Sequence, residues 1–289
     1  MSHLPASLGD ALALARGRIA TVDARILLRE ASGATAAQLI AFQERPLAPE
    51  AAGLFLQWLE RREAGEPVAH ILGQREFYGL NLHITADVLD PRPDTETLVD
   101  WALSVLQTAA SQWPIPTVLD MGTGSGAIAL AIAKNHGSAK VTATDFSPTA
   151  LAIAKHNAQV QQLPIEFKIS DWWSHLKGQK WDVIVSNPPY IALGDPHLPA
   201  LRHEPAMALI SGSDGLDAIR KIIGDAPSHL NPQGWLLIEH GYDQANAVSQ
   251  LLESAGFKCI EHRYDLAGNC RCSGGQWLHI EGLAFSQST

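Results

Sequence analysis

Cysteine, positive charge and long apolar stretches are all scarce in this chain of 289 residues. The three cysteines have neither disulfide-framework nor metal-ligand spacing, which predicts reduced thiols and no metal site; they are Cys259, Cys270 and Cys272. No apolar run approaches the ~18 residues of a membrane helix, and the start lacks a basic leader with a cleavage signature. We therefore expect a cytoplasmic protein without a membrane partner.

Acidic residues outnumber basic ones: the chain has 30 Asp and Glu and 21 Lys and Arg, which gives a formal net charge of −9. A protein that neutralises ~6–10 backbone phosphates needs a basic stripe. The densest basic cluster here is only Arg61-Arg62. The composition argues against duplex DNA as the main partner and predicts no stable nucleic-acid partner.

The apolar pattern divides the chain into three predicted parts. Residues 1–74 carry apolar side chains at helical spacing, which predicts a small all-helical domain. Residues 75–92 alternate apolar and polar side chains and predict a β-hairpin linker. Residues 93–289 alternate strand-like and helix-like segments. That rhythm is typical of an α/β, Rossmann-like domain, in which helices cover both faces of a mostly parallel twisted sheet.

Several element boundaries within the third part can be predicted. Asp94-Thr95-Glu96 is expected to cap a helix that runs through Leu106. The last two strands are expected around Cys259–Tyr264 and Trp277–Glu281, separated by a turn at Gly274-Gly275-Gln276.

A glycine-rich loop follows a short apolar strand that ends at Asp120. The loop is Gly122-Thr123-Gly124-Ser125-Gly126, and an apolar helix is predicted behind it. Glycines permit a tight turn and let a ligand approach the backbone, while a helix start favours a carboxylate or phosphate. The next predicted strand ends at Asp145, the usual place for an acid that accepts both hydroxyls of a ribose. Alone, the loop equally fits a dinucleotide-binding dehydrogenase or a turn that serves only packing.

Asn187-Pro188-Pro189-Tyr190 ends a later apolar run. Both prolines lack an N–H and push the preceding residue into extended backbone, so the Asn187 and Pro188 carbonyls have no neighbouring strand to bond. Together with the Asn187 side chain, these carbonyls can accept the hydrogens of a planar NH2 group, and Tyr190 adds an aromatic face. In isolation, the same tetrapeptide also describes a turn that ends a strand.

The two motifs together indicate a group-transfer enzyme, because both are predicted at the carboxyl edge of one sheet. The glycine at position 126 and the NH2 clamp favour S-adenosylmethionine over a dinucleotide. An adenine N(6)-methyltransferase on nucleic acid is an alternative, since adenine also presents a planar NH2. A scaffold that binds the donor without turnover is another.

The motifs resemble the release-factor glutamine N(5)-methyltransferases, the HemK/PrmC-type family, over nearly the whole chain. Besides the two motifs above, the matching segments are Gly65 to Gly73, Glu76 to Gly79, Pro91-Arg92-Pro93-Asp94-Thr95-Glu96, Glu204-Pro205 and Gly212 to Leu216. The segment from Pro91 to Glu96 discriminates best, because the similar ribosomal-protein L3 glutamine methyltransferases, a further alternative, differ there.

This resemblance implies a class I methyltransferase that methylates the glutamine of a Gly-Gly-Gln loop in class I peptide-chain release factors, docked by the helical domain. It implies that S-adenosyl-L-methionine is bound by Asp120, Gly122, Thr123, Gly124, Ser125, Gly126, Asp145, Trp172 and Asn187. It also implies that the glutamine is held by Asn187, Pro188, Pro189 and Tyr190, of which Asn187, Pro188 and Tyr190 are catalytic. In our hypothesis, Asn187 Oδ1 and the Pro188 carbonyl accept the two amide hydrogens, with no metal and no covalent intermediate.

Two departures stand out. Asp90 precedes Pro91 where the family usually has an apolar residue, which predicts a different wall beside the glutamine pocket. Gly274-Gly275-Gln276 repeats the substrate motif within this chain. We expect it to mark a turn, with self-methylation as a remote alternative.

Overall fold

The computed structural model describes residues 4–278. The chain separates into two compact units, Met1–Gln74 and Arg75–Thr289. Among the described residues, no helix combines the length and the apolar character needed to cross a membrane.

The first unit is built from five helices around one apolar core. The helices are α1 (Leu8–Ala15), α2 (Thr21–Ser32), α3 (Ala36–Ala41), α4 (Pro49–Glu63) and α5 (Val68–Leu72). Ser7 caps α1, and Thr35 with Gln38 forms a capping box on α3, so side chains satisfy the first free amides of these helices. The core includes Leu27, Leu28, Phe55 and Leu59, all fully buried.

A two-stranded hairpin forms where the alternating pattern predicts one. Its strands are β1 (Gln74–Phe77) and β2 (Leu80–His83). Tyr78 and Gly79 connect them with φ angles of 50° and 71°. Two consecutive residues with positive φ are the signature of a type I′ turn, whose twist matches that of the flanking strands.

A seven-stranded sheet forms the centre of the second unit, in the order β5-β4-β3-β6-β7-β9-β8. The strands are β3 (Thr117–Met121), β4 (Lys140–Asp145), β5 (Ile165–Ile169), β6 (Trp181–Ser186), β7 (Leu230–Glu239), β8 (Lys258–Tyr264) and β9 (Cys270–Gln276). Within this sheet, β9 runs antiparallel to the six other strands. Every residue of β6 is buried, as expected for a central strand of a parallel sheet covered on both faces.

One helix precedes β3 and four more lie between later strands: α6 (Glu96–Thr108), then α7 (Ala127–Asn135), α8 (Pro148–Gln161), α9 (Asp217–His229) and α10 (Ala245–Ser254). Short 3-10 turns lie at Pro93–Thr95, Leu198–Leu201 and Ala206–Ala208. One core cluster joins the sheet to α9 and α10 through side chains such as Ile184, Ile219, Leu236 and Leu252.

Two local predictions are wrong. The Thr95 side chain makes no capping hydrogen bond to α6, because its backbone is already helical, with φ of −65° and ψ of −20°, whereas a capping residue is extended. In the described part of the chain the last strand is Cys270–Gln276, so Gly274-Gly275-Gln276 lies inside β9 and not in a turn. Most of the strand predicted around Trp277–Glu281 lies outside the described residues.

Packing explains the glycines of β9. A Cβ on Gly274 would lie 2.6 Å from the Leu236 carbonyl oxygen and 2.8 Å from the Trp101 ring. A Cβ on Gly275 would lie 2.9 Å from Phe257 Cβ. The Gln276 side-chain amide nitrogen donates a hydrogen bond to the Gln233 carbonyl at 3.0 Å. The internal Gly-Gly-Gln is therefore accounted for by close approach between neighbouring strands and side chains.

Replacing Gly274 with alanine should destabilise the second unit, because backbone and a buried ring cannot yield to the added methyl group. Overpacking of this kind costs about 1–3 kcal/mol. Chemical denaturation of the full chain measures the effect. Gly137→Ala is the matched control, since its added Cβ meets nothing within 4 Å. Equal stability of the two variants would contradict the packing explanation.

Candidate active site

The carboxyl ends of β3, β4 and β6 open into a cavity of about 450 Å³. This is the point at which chain connections diverge to either side of β3, the usual location of a ligand in an open α/β sheet. Of the residues with a predicted role, eight line the cavity: Gly122, Thr123, Gly124, Ser125, Asp145, Trp172, Asn187 and Pro189. The volume lies within the range of small-molecule sites.

Asp145 fixes the glycine loop to the end of β4. Its Oδ2 accepts a hydrogen bond from the Gly124 amide at 2.8 Å, and its Oδ1 accepts one from the Ser147 amide at 2.9 Å. Burial raises the pKa of this carboxyl, and the backbone amides oppose that shift. A carboxylate has about four lone-pair sites, so Asp145 retains capacity for a ligand in the cavity.

Asp120 lies beneath the glycine loop and is not among the residues that line the cavity, so its predicted contact with the donor stays a prediction. It is fully buried. Its Oδ2 accepts hydrogen bonds from the Thr123 hydroxyl at 2.6 Å and from the Ala129 amide at 3.1 Å. Desolvation raises the Asp120 pKa to about 7, although both hydrogen bonds oppose it. Asp120 thus joins the loop to the start of α7 and acts on the cavity indirectly.

Trp172 occupies the left-handed backbone region with φ of 48°, which is uncommon for a bulky residue. The Ser170 hydroxyl donates to the Trp172 carbonyl at 2.6 Å and holds this conformation. The indole ring faces the loop, and a Cβ on Gly122 would lie 3.8 Å from it, in ordinary van der Waals contact. Gly122 has φ of 70°, so the turn itself favours glycine there.

Asn187 lines the cavity directly after β6, and its side-chain orientation is set by one partner. Its Nδ2 donates to Thr95 Oγ1 at 3.2 Å. Among the described residues, none donates a hydrogen bond to Asn187 Oδ1 or to the Pro188 carbonyl. The amide therefore presents a free acceptor at the cavity wall.

Tyr190 and Pro188 are not among the residues that line the cavity, and their predicted contacts with the substrate glutamine stay predictions. The Tyr190 carbonyl accepts a hydrogen bond from the Gln244 side chain at 3.0 Å. A Cβ on Gly215, which has φ of 76°, would lie 2.3 Å from the same carbonyl, so only glycine allows this approach. Burial, followed by the nearby Glu239 charge, raises the pKa of the Tyr190 hydroxyl, which keeps it protonated.

Sequence reasoning missed several cavity residues. They include Thr95, Phe146, Met207, Asp217 and Lys221. Phe146 directly follows the predicted ribose acid, and Thr95 belongs to the Pro91–Glu96 segment already singled out, so both positions carried a signal. Gly126, predicted to line the donor site, is absent from the wall and begins α7 as its N-cap with φ of 86°.

Asp90 does not form the cavity wall, although Leu89 and Pro91 do. Its carboxyl is 4% exposed. It lies 3.4 Å from the Arg75 guanidinium and 3.7 Å from that of Arg92. Arg92 also pairs with Glu204 at 2.5 Å. The negative charge of Asp90 is therefore balanced within an ion-pair cluster that includes Arg75 and Arg92.

This chain is similar to known proteins over most of its length. The family model "PrmC N-terminal domain" matches residues 9–73, and "Methyltransferase small domain" matches residues 96–202. A release factor glutamine methyltransferase of Burkholderia pseudomallei is 48% identical over 88% of this chain and 91% of its own. One of Pseudomonas aeruginosa is 46% identical over 89% and 93%. The chain belongs to the release factor glutamine methyltransferase family.

Solved structures agree on the fold. A methyltransferase from Pyrococcus furiosus superposes with a TM-score of 0.51 and 20% identity, over 76% of this chain and 98% of its own. The hMettl16 catalytic domain, bound to an RNA hairpin, gives a TM-score of 0.56 with 16% identity over 75% and 82%. At such identity these likenesses concern the fold alone. Family membership confirms the Rossmann-like class I methyltransferase fold and S-adenosylmethionine as the methyl donor, and it removes the dehydrogenase alternative.

Stability should depend on pH through Asp120. Because its folded pKa is raised to about 7, the folded protein holds a proton that the unfolded chain releases near its ordinary pKa. This contribution is complete below pH 4 and is lost as pH rises toward 7, with a slope of roughly 1.4 kcal/mol per pH unit. Unfolding of wild type and Asp120→Asn between pH 4 and 8 measures the slope. An equally steep loss in the variant would contradict the assignment.

Proposed function

We propose that this chain transfers a methyl group from S-adenosylmethionine to the side-chain amide nitrogen of the glutamine in the Gly-Gly-Gln loop of class I peptide-chain release factors. The printed names of its relatives support this substrate. The observation that carries the proposal is the free Asn187 Oδ1 at the wall of the cavity that holds the glycine loop. The unpaired cysteines and the acidic composition support action in the cytoplasm on a protein.

The cavity suits the donor. Asp145 retains acceptor capacity for ribose hydroxyls, and Gly122 to Ser125 expose backbone at the start of α7 for the methionine end. Trp172 offers an aromatic face for the adenine. When bound, S-adenosylmethionine supplies an electrophilic methyl group.

The protein's task is to orient a weak nucleophile. The lone pair of an amide nitrogen is delocalised into its carbonyl, so a free amide reacts poorly. Asn187 Oδ1 and the Pro188 carbonyl would accept the two N–H bonds, fix the NH2 plane and stabilise positive charge as it develops on nitrogen. Positioning of this kind supplies up to ~7–11 kcal/mol of a reaction barrier.

The activity is tested with purified full-length protein, labelled donor and a class I release factor. We expect one methyl group on the Gly-Gly-Gln glutamine, located by peptide mass spectrometry, and none when that glutamine is replaced with alanine. Single-stranded DNA and ribosomal protein L3 serve as competing substrates. Methylation of either one, with the release factor untouched, would overturn the proposal.

Two site variants should separate catalysis from donor binding. Asn187→Ala removes the acceptor and should lower kcat by about 100- to 1,000-fold, with little change in affinity for S-adenosylhomocysteine. Asp145→Ala removes the ribose acceptor and should chiefly weaken that affinity. Steady-state kinetics and calorimetric titration measure the two effects. Unchanged turnover in the first variant, or wild-type affinity in the second, would remove that residue from its role.

The helical unit, residues 1–74, would dock the release factor outside the reacting loop. Its match to the PrmC N-terminal domain family supports a role tied to this substrate. A free peptide that carries only the Gly-Gly-Gln loop should then have a higher KM than the intact factor. Equal KM values for peptide and factor would leave the unit with a stabilising role only.

A further inference from the structure

Glu239 is a buried acid beside the clamp that no step above uses. It is the last residue of β7, and the preceding residue, Ile238, pairs with Ser186 at the end of β6. The side chain therefore lies next to the strand end that carries Asn187. It is 1% exposed, and no described residue donates a hydrogen bond to its Oε2. A buried carboxyl in such a place is costly and calls for an explanation.

Glu239 has two hydroxyl groups as polar neighbours, one on each side of the clamp. The Thr95 and Tyr190 hydroxyls favour the charged form of the Glu239 carboxyl and so lower its pKa. Thr95 Oγ1 also accepts the hydrogen bond from Asn187 Nδ2. Thr95 is therefore a neighbour both of Glu239 and of the amide that lines the cavity.

We propose that Glu239 is a positioning residue, whose carboxylate takes the Thr95 hydroxyl hydrogen and thereby dictates which end of the Asn187 amide is free. This inference rests on the proposed function. A threonine hydroxyl has one hydrogen and two lone pairs. Once that hydrogen points to Glu239, Thr95 can only accept, so Asn187 must present Nδ2 to it. Asn187 Oδ1 is then the free end, ready to accept an amide N–H from the substrate.

The charge on Glu239 controls this arrangement. Desolvation raises its pKa to about 7, Arg271 and the two hydroxyls lower it, and Asp94 raises it. Cys272, its neighbour on β9, also faces it. A protonated Glu239 can donate to Thr95, which frees the threonine hydrogen for Asn187 Oδ1 and reverses the amide. Turnover should therefore fall as pH drops through the Glu239 pKa.

Glu239→Gln tests the idea with almost no change in shape. A glutamine can donate as well as accept, so the hydroxyl loses its fixed direction. We expect kcat at pH 8 to fall about 10- to 100-fold, the size expected when one hydrogen bond to a charged group is lost. The decline of kcat below pH 7 should disappear, although Asp120 still titrates in this variant. Affinity for S-adenosylhomocysteine should stay at the wild-type value.

Thr95 variants complete the test. Thr95→Val, which keeps the shape without the hydroxyl, should lower kcat comparably, and Thr95→Ser should restore most of it. Because both residues act on one amide, the Glu239→Gln/Thr95→Val double variant should be little worse than either single variant. Asp182→Asn is the matched control: it neutralises a buried acid at the opposite end of β6 and should keep the wild-type pH profile.

The outcomes separate the inference from the function that underlies it. Wild-type protein that leaves release factors unmethylated contradicts the proposed function. Wild-type methylation with an unchanged pH profile in Glu239→Gln, or multiplicative losses in the double variant, overturns the positioning role alone. Disappearance of the acid limb with retained donor affinity supports it.

Discussion

One hydrogen bond, from Asn187 Nδ2 to Thr95 Oγ1, organises the site. It joins the end of β6 to the turn that precedes α6, across 92 residues of sequence. Its net energy is only about 1 kcal/mol, so its importance lies in direction. An amide has a donor end and an acceptor end of nearly equal size, and packing alone does not choose between them. A partner that accepts from Nδ2 does, and it leaves an oxygen for the substrate.

Much of this architecture follows from local sequence. The strand–glycine–helix pattern predicts the loop, the position of Asp145 at the end of β4 predicts a ribose acceptor, and Asn187 to Tyr190 predict a clamp directly after β6. These signals are short, and parallel strands bring their carboxyl ends to one edge without further information. The partners that fix the clamp are different. Thr95 lies in a segment that was singled out only because it resembles a family motif. Glu239 ends a strand whose apolar sequence is typical of a buried core strand.

The roles of Thr95 and Glu239 could not be predicted from the sequence, because they depend on how strands that are far apart in the chain pair with each other. Ile238 meets Ser186 only after β7 has paired with β6. The same limit explains the error at Gly274-Gly275-Gln276. Glycines are locally typical of turns, whereas here they let β9 lie close to the Leu236 carbonyl and the Phe257 side chain. The sequence contains the glycines but not the neighbours that require them.

The buried acids have a stability cost. Asp120 and Glu239 are both raised to a pKa of about 7 by desolvation. Each is placed behind a functional group, Asp120 under the glycine loop and Glu239 behind the clamp. Tyr190 differs, because its raised pKa keeps it a neutral hydroxyl that cannot act as a base. In the function we propose, the acceptors for the substrate amide are therefore the Asn187 side chain and the backbone that the prolines leave unpaired.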